Sequence, residues 1–441
     1  MLIYYLSAII FVLVVLGVKN VTRAISFRRR ERKEIKLFDP EQADFYFYLV
    51  IPALREQNVI ERTLEIISMQ KYPSNMFEII IALDKSEEAD LKTKQATVDV
   101  LRQYIFNRKK HLPTISYVMR SGKGMKRSFQ LNVALAEIYK RVKVKKQDKK
   151  KVFVGVYDAD SYPDNRVLAY VSLVAKKSDN NRAFQQNLNY LLNSEELKKE
   201  NNNILLANAY YQTFWNYIFE INRFLSTNKR IVKNKLAIFP PYCMGHGEFV
   251  RLDLLQKIKG FPIDGVADGI QLGFVLSDLK EKILPIPFED YCESPNKLRI
   301  LFKQHIFWLV GNLGFFNTIK KSRLFSMKFV QSVCHIFLAL KWMLRPFFVT
   351  LIVGYTLVLG NFLLFAILVG VIWGYYLFGY IIIRRFLVKD AQIKIVPLKY
   401  YGLEMPLAVY FKSFGAVIGF WRLIKHHLFK SSLNVRNKVE R

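Results

Sequence analysis

From Pro346 to Ile383 the chain carries no charged side chain, and this stretch constrains the fold more sharply than any other feature. As one helix it would run roughly 57 Å at ~1.5 Å per residue, far beyond the ~30 Å hydrocarbon core of a bilayer. Two helices turning near Gly360-Asn361 fit that thickness. Arg345 at one end and Arg384-Arg385 at the other place both ends on the positive, cytoplasmic side. The expected hairpin covers residues 346–385. Its first arm is short unless it begins near Leu338 and takes in Lys341, whose stem can snorkel.

Two further apolar regions flank the rest of the chain. Leu2 to Val18 lacks charge and reads as an N-terminal transmembrane helix over residues 1–20. Lys19 to Lys36 follows with eight Lys/Arg against two Glu, so the next domain is expected in the cytoplasm. A signal peptide would carry its positive charges before the apolar run, not after it. Near the C-terminus, Pro406 to Ile424 contains Lys412 and Arg422 and leads into a basic tail. Spanning would expose that tail outside, so residues 397–430 are expected as an interfacial or re-entrant helix, and residues 325–345 as a second interfacial helix.

Composition agrees with a soluble body joined to membrane segments. Over 441 residues, 51% are hydrophobic while 23% are charged, too many for a wholly buried membrane protein. The formal net charge of +31 favours anionic partners. Much of that excess lies beside the apolar segments, which points to membrane lipids and not to nucleic acid. Cys243, Cys292 and Cys334 are few and widely spaced, so no disulfide framework is expected.

Residues 39–322 alternate apolar runs with helical periodicity. Tyr46–Ile51, Phe77–Leu83, Ile115–Val118 and Val152–Tyr157 read as strands. Glu56–Met69, Thr93–Phe106 and Phe129–Arg141 read as the helices between them. This alternation predicts an α/β domain with a mainly parallel sheet covered on both faces. Lys140–Lys151, with eight basic residues and one Asp, reads as a solvated loop or a membrane-surface contact, and the Asn-rich stretch 187–203 as a mobile connection.

Ligands of such sheets sit beyond the carboxyl ends of the strands. Asp84 follows the second strand directly, and Asp158-Ala159-Asp160 follows the fourth. Two carboxylates one residue apart on such a turn present hard oxygens to Mg²⁺ or Mn²⁺, whose other positions go to water and phosphate. A departing diphosphate needs such a cation.

With these residues in view, residues 46–312 resemble the family 2 glycosyltransferases of the membrane-synthase type, the group of cellulose, chitin and hyaluronan synthases. Pro52-Ala53-Leu54-Arg55-Glu56 resembles the family's Pro-x-x-Asn-Glu entry, and Gln70-Lys71-Tyr72-Pro73 a second family phrase. Asp84 falls on the uridine-contacting aspartate. Lys126-Arg127, with Leu131-Asn132, resembles the nucleotide-contacting segment, and Asp158-Ala159-Asp160 the metal-binding triplet. Gly245 to Arg251, which includes Gly247 and Glu248, resembles an acceptor-side loop. Asp268 lies in the segment that carries the catalytic base. Gln304 to Trp308 resembles Gln-x-x-Arg-Trp. The chain departs from the pattern at Arg55, Ala267 and Phe307, the last in place of an arginine.

The resemblance implies a cytoplasmic GT-A (Rossmann-like) domain that inverts the sugar as it moves from a nucleotide-sugar donor, with UDP-sugar expected. Pro52, Glu56, Asp84, Lys126, Arg127 and Asp158 would hold the donor, and Asp160 with Asp158 the Mg²⁺ or Mn²⁺. Asp268 would be the base, and Gly247, Glu248, Gln304 and Trp308 would meet the acceptor. The acceptor is a growing surface polysaccharide or, alternatively, a lipid-linked sugar, a reading that the loss of the arginine at Phe307 favours. Simpler roles stand beside these: Asp268 as a helix cap, Lys126 and Arg127 as surface charges, Trp308 as a membrane-interface anchor. The implied location is a multi-pass cell-membrane protein.

Overall fold

The computed structural model describes residues 2–87, 96–107, 112–120, 127–233, 235, 243–263, 267–314, 325–387, 393–398 and 401–429. Eight strands form one sheet: β1 (Tyr46–Ala53), β2 (Phe77–Asp84), β3 (Thr114–Arg120), β4 (Val152–Val156), β5 (Tyr162–Pro163), β6 (Ala183–Asn189), β7 (Glu248–Arg251) and β8 (Ile283–Tyr291). Their order is β3-β2-β1-β4-β7-β6-β8-β5. The half built from β1 to β4 is parallel, as expected from the apolar runs. Beyond β4 the sheet turns mixed: β7 runs antiparallel to both β4 and β6, β6 and β8 are parallel, and β5 is an antiparallel edge.

Alternation along the strands divides the core. Phe47, Leu49, Ile51, Ile79 and Ile81 face one helical layer. Tyr48, Val50, Ile80, Ala82, Val154 and Val156 face the other, which includes Leu131, Leu135 and Ile138 of the helix Arg127–Val144. Both sheet faces are therefore apolar, which is why these strands read as continuous hydrophobic runs.

The Asn-rich stretch is not a mobile connection. Asn187 and Asn189 lie buried in β6, and helices Ser194–Lys199 and Asn203–Trp215 follow. Several polar side chains here satisfy backbone groups. Asn193 donates to the Ser294 carbonyl at 2.8 Å and accepts from its N–H at 2.9 Å, and the Gln186 amide donates to the Glu289 carbonyl at 2.6 Å. Nor is Lys140–Lys151 one loop, since the helix runs on to Val144 and Lys145 pairs with Glu78.

Among the described residues, four helices are long and apolar enough to cross a membrane, by length and composition: Ser7–Leu37, Phe329–Val358, Phe362–Phe386 and Leu403–Lys425. The turn between the second and third falls at Gly360, where φ is +67°. The segment expected as a separate interfacial helix, 325–345, is continuous with the first arm of the hairpin in one helix, Phe325–Val358. Gly415 and Gly419 let the last helix, Tyr401–Phe429, press on the helix Leu298–Leu313. A Cβ on Gly415 would lie 2.7 Å from His305 Cβ, and one on Gly419 3.2 Å from Ile306 Cα. Small residues four apart bring helices this close.

The first helix, Leu2–Glu34, continues through the basic segment and docks on the sheet. Arg28 and Arg32 both pair with Glu289 of β8, the second at 2.7 Å, and the Arg28 guanidinium lies 4.3 Å from the Tyr217 ring centre. Burial alone would raise the Glu289 pKa, but the two guanidinium charges outweigh it and hold the carboxyl below its ordinary value. Removing one partner of a buried pair strands the other, at about 3–5 kcal/mol. Glu289→Ala should therefore lower stability by that amount in denaturant titrations of the detergent-solubilised protein. Asp44→Ala, which breaks the exposed 2.8 Å pair with Lys176, should cost less than about 1 kcal/mol. Equal effects would mean that Glu289 does not anchor the helix.

Candidate active site

The carboxyl ends of β2, β1 and β4 lie side by side. Pro52 pairs with Ala82 across β1 and β2, and the Tyr157 N–H donates to the Val50 carbonyl as the chain leaves β4. Asp84 closes β2 and is buried, Glu56 stands just past β1, and its N–H donates to Thr97 Oγ1 at 2.9 Å.

The Asp158-Ala159-Asp160 turn is held from three sides. The Asp158 N–H donates to Ser161 Oγ at 3.1 Å, Thr63 donates to the Ala159 carbonyl at 2.6 Å, and Ser161 donates to Asp290 at 3.0 Å. This leaves the Asp158 carboxylate 40% exposed, so it can meet a ligand.

Arg127, first residue of its helix, joins the two halves of the site. One guanidinium nitrogen lies 2.9 Å from Asp158 Oδ1 and donates to the Gly245 carbonyl, and the other lies 2.7 Å from Asp268 Oδ2. It is thus no free surface charge. Burial would lower its pKa, but Asp268, Asp158 and Glu248 together raise it. Asp268 is the first residue of the helix Asp268–Asp278, whose N-cap position is held by Ala267. Gly269 packs on the backbone of Cys243 and Gly245, leaving no room for a Cβ.

Of the other expected residues, Lys126 lies outside the described residues. Gly247 is buried structure: its φ is +64°, and its N–H and carbonyl tie β4 to β6 through Val156 and Gln186. Glu248 is 1% exposed and stands behind Arg127. Burial and Asp268 push its pKa up to about 8, against the opposing charges of Arg127 and His246. Asn132 clamps the Phe261 backbone through both amide atoms.

A cavity of about 220 Å³ opens beside Asp268 and Gly245 toward the apolar helices. Trp308 and Phe307 line it, whereas Gln304 does not. Trp308 meets Tyr190 edge to face, with ring centres 6.2 Å apart.

Sequence reading missed the pair His246–Asp290. His246 Nδ1 lies 2.8 Å from Asp290, and Nε2 lies 4.0 Å from Asp158. A histidine beside a loop of three glycine-spaced residues was the only signal, and Asp290 gave none because it hides within a strand. Burial would lower the His246 pKa, but Asp158, Asp290 and Asp160 push it up to about 9.

Among the described residues, no three His, Cys, Asp or Glu side chains gather into a ready-made metal cage. Asp158 and Asp160 nevertheless fit the kind of Mg²⁺ or Mn²⁺ site in which one or two carboxylates share the ion with phosphate oxygens.

The two raised pKa values set a direction for stability. His246 gains a proton more readily folded than unfolded, so its contribution is complete below its ordinary value of 6.5 and lost as pH rises through about 9. Glu248 acts the same way, losing its contribution between 4.5 and about 8. Melting temperature in EDTA should therefore fall from pH 6.5 to 9.5, with His246 supplying about 3 kcal/mol or less of the loss. His246→Asn should flatten that fall, and an unchanged slope would show that the imidazole is not charged in the folded protein.

Residues 43–308 match the family described as "Glycosyltransferase like family 2", well over half of the chain. No curated protein matches the sequence significantly. Similar solved structures include a mannosyltransferase, PcManGT from Pyrobaculum calidifontis, in complex with GDP-Man and Mn²⁺. It is 14% identical, with 95% of this chain and 99% of that one covered and a TM-score of 0.49. S. aureus TarS is 14% identical over 68% of this chain and 44% of its own, with a TM-score of 0.38. Its 1–349 fragment with UDP-GlcNAc is 12% identical over 85% and 92%, with a TM-score of 0.37.

Proposed function

Because the chain belongs to the family 2-like glycosyltransferases, we propose that it moves a sugar from a nucleotide-sugar donor, UDP-sugar first among them, with inversion at the anomeric carbon. The observation that carries this reading is Arg127, whose one guanidinium holds Asp158 of the strand-end triplet and Asp268 of the cavity mouth together. The donor lies along the carboxyl ends of β2, β1 and β4, by Asp84 and Asp158. The acceptor enters through the cavity.

In the transfer, the acceptor hydroxyl gives its proton to the Asp268 carboxylate while its oxygen bonds to the anomeric carbon. The bond from that carbon to the diphosphate breaks on the opposite face, and nucleoside diphosphate leaves. A bound Mg²⁺ or Mn²⁺ supplies charge neutralisation to the leaving diphosphate, and Asp160 with Asp158 would hold it. Arg127 orients Asp268 and adds positive charge nearby.

The first helix and the hairpin anchor the enzyme in a cell membrane, with the catalytic domain on the cytoplasmic side. The last helix lies against the domain at the membrane surface, in keeping with the glycine contacts to Leu298–Leu313. A lipid-linked acceptor is favoured over a long polymer by Phe307, which takes the arginine's place and turns into the cavity.

Two variants separate the roles. Asp268→Asn keeps shape but cannot accept a proton, so turnover should fall ~10²–10⁴-fold while the dissociation constant for UDP changes less than about threefold. Asp160→Ala, or excess EDTA with wild type, should instead weaken both UDP binding and turnover. If Asp268→Asn turns over within a few-fold of wild type, the base lies elsewhere. Full turnover in EDTA would remove the metal from the account.

A further inference from the structure

The cavity beside Asp268 is walled partly by the membrane helices, and those walls bring in cations. Lys341 and Arg345 come from Phe325–Val358, and Lys412 from Tyr401–Phe429. Lys412 is only 8% exposed and sits among three rings, with its ammonium 4.9 Å from the Trp215 centre, 5.3 Å from Tyr211 and 5.5 Å from Trp342. Its hydrogen bond goes to a neutral acceptor, Gln212 Oε1, at 3.1 Å. Arg345 reaches only the hydroxyls of Tyr211 and Tyr376, each at 3.4 Å. Among the described residues none of these three cations forms an ion pair. Of the lining carboxylates, Asp268 pairs with Arg127, and one oxygen of Glu220 meets Arg223 at 3.2 Å and the Trp215 indole at 2.9 Å. Trp342 also turns a buried indole N–H that finds no acceptor.

Buried cations without an ion-pair partner are costly, and within membrane segments they mark ligand sites. Aromatic faces ease that cost only in part. The same cavity is lined by the apolar Leu338, Pro346 and Val409 and by Asp268.

We propose that this cavity binds the phosphate or diphosphate of an amphiphilic acceptor. The anionic group lies against Lys412, Arg345 and Lys341, the apolar tail runs toward the membrane helices, and the hydroxylated head faces Asp268. The inference rests on the proposed sugar transfer for the role of acceptor, but the anion site itself does not. Cations from the membrane helices thus stand where Phe307 brings none.

The test uses the full chain in nanodiscs of zwitterionic lipid without donor, read by quenching of the tryptophans that line the cavity. Dodecyl phosphate should bind saturably, inorganic phosphate at least tenfold more weakly, and dodecyl maltoside should not compete. Lys412→Gln and Arg345→Gln should each weaken dodecyl phosphate at least tenfold, and Lys412→Arg should restore most of the affinity at a melting temperature near that of wild type. Equal competition by the neutral amphiphile, tighter binding of inorganic phosphate, or unchanged affinity in both Gln variants overturns the proposal. Transfer to a neutral acceptor without dodecyl phosphate binding would sink this inference and leave the transferase reading standing. Binding without transfer of any sugar would do the reverse.

Discussion

The buried carboxylate of Glu289, held between Arg28 and Arg32, fixes the first apolar helix to the sheet of the α/β domain. A lone carboxylate at 3% exposure would be driven toward its neutral form, and two guanidinium groups reverse that. Because side chains alternate along a strand, the next residue of β8 points the other way. That residue is Asp290, which holds His246 and Ser161 and through them the Asp158 turn. One strand therefore sets both where the first helix lies and how the strand-end carboxylates are presented.

From β8 the charges propagate to the cavity. Asp158, Asp160, Asp268 and Glu248 crowd into one region, and four negative groups there would repel a diphosphate. Arg127 and a protonated His246 answer part of that charge, burial leaves Glu248 neutral below about pH 8, and a divalent cation would answer the rest. The proposed anionic donor would complete such a site. Beyond Asp268 the charge changes sign, as Lys341, Arg345 and Lys412 line the cavity and none of them forms an ion pair among the described residues. An acceptor with its anion set back from its hydroxyl suits both ends.

Much of the parallel half of the sheet was legible because its strands are buried on both faces and so are uniformly apolar. Val152–Val156 and Phe77–Asp84 read as strands for that reason, and the aspartates that follow them stood out against it. Strand β6, Ala183–Asn189, was hidden because Gln185, Gln186, Asn187 and Asn189 look like loop residues, yet all are buried. Gln185, Gln186 and Asn189 serve neighbouring backbone, a task that only the tertiary structure reveals. Lys341 and Lys412 misled in the same way. In a sequence they look like snorkelling or surface charges, whereas the fold turns them inward to a shared cavity. The basic run Lys19–Lys36 read only as a charge bias beside an apolar segment, yet it continues the first helix, and its Arg28 and Arg32 pair with Glu289.

The central claim, that this chain transfers sugar from a nucleotide donor, is tested most directly by donor turnover. Purified full-length protein in nanodiscs with Mg²⁺ or Mn²⁺ would be offered a panel of UDP- and GDP-sugars together with a lipid extract, and released nucleoside diphosphate would be separated and counted. The account predicts release from at least one donor, dependent on the lipid extract, with the sugar recovered in a lipid-extractable product of inverted anomeric configuration. Absence of release from every donor, or release that yields only free sugar regardless of acceptor, would contradict it.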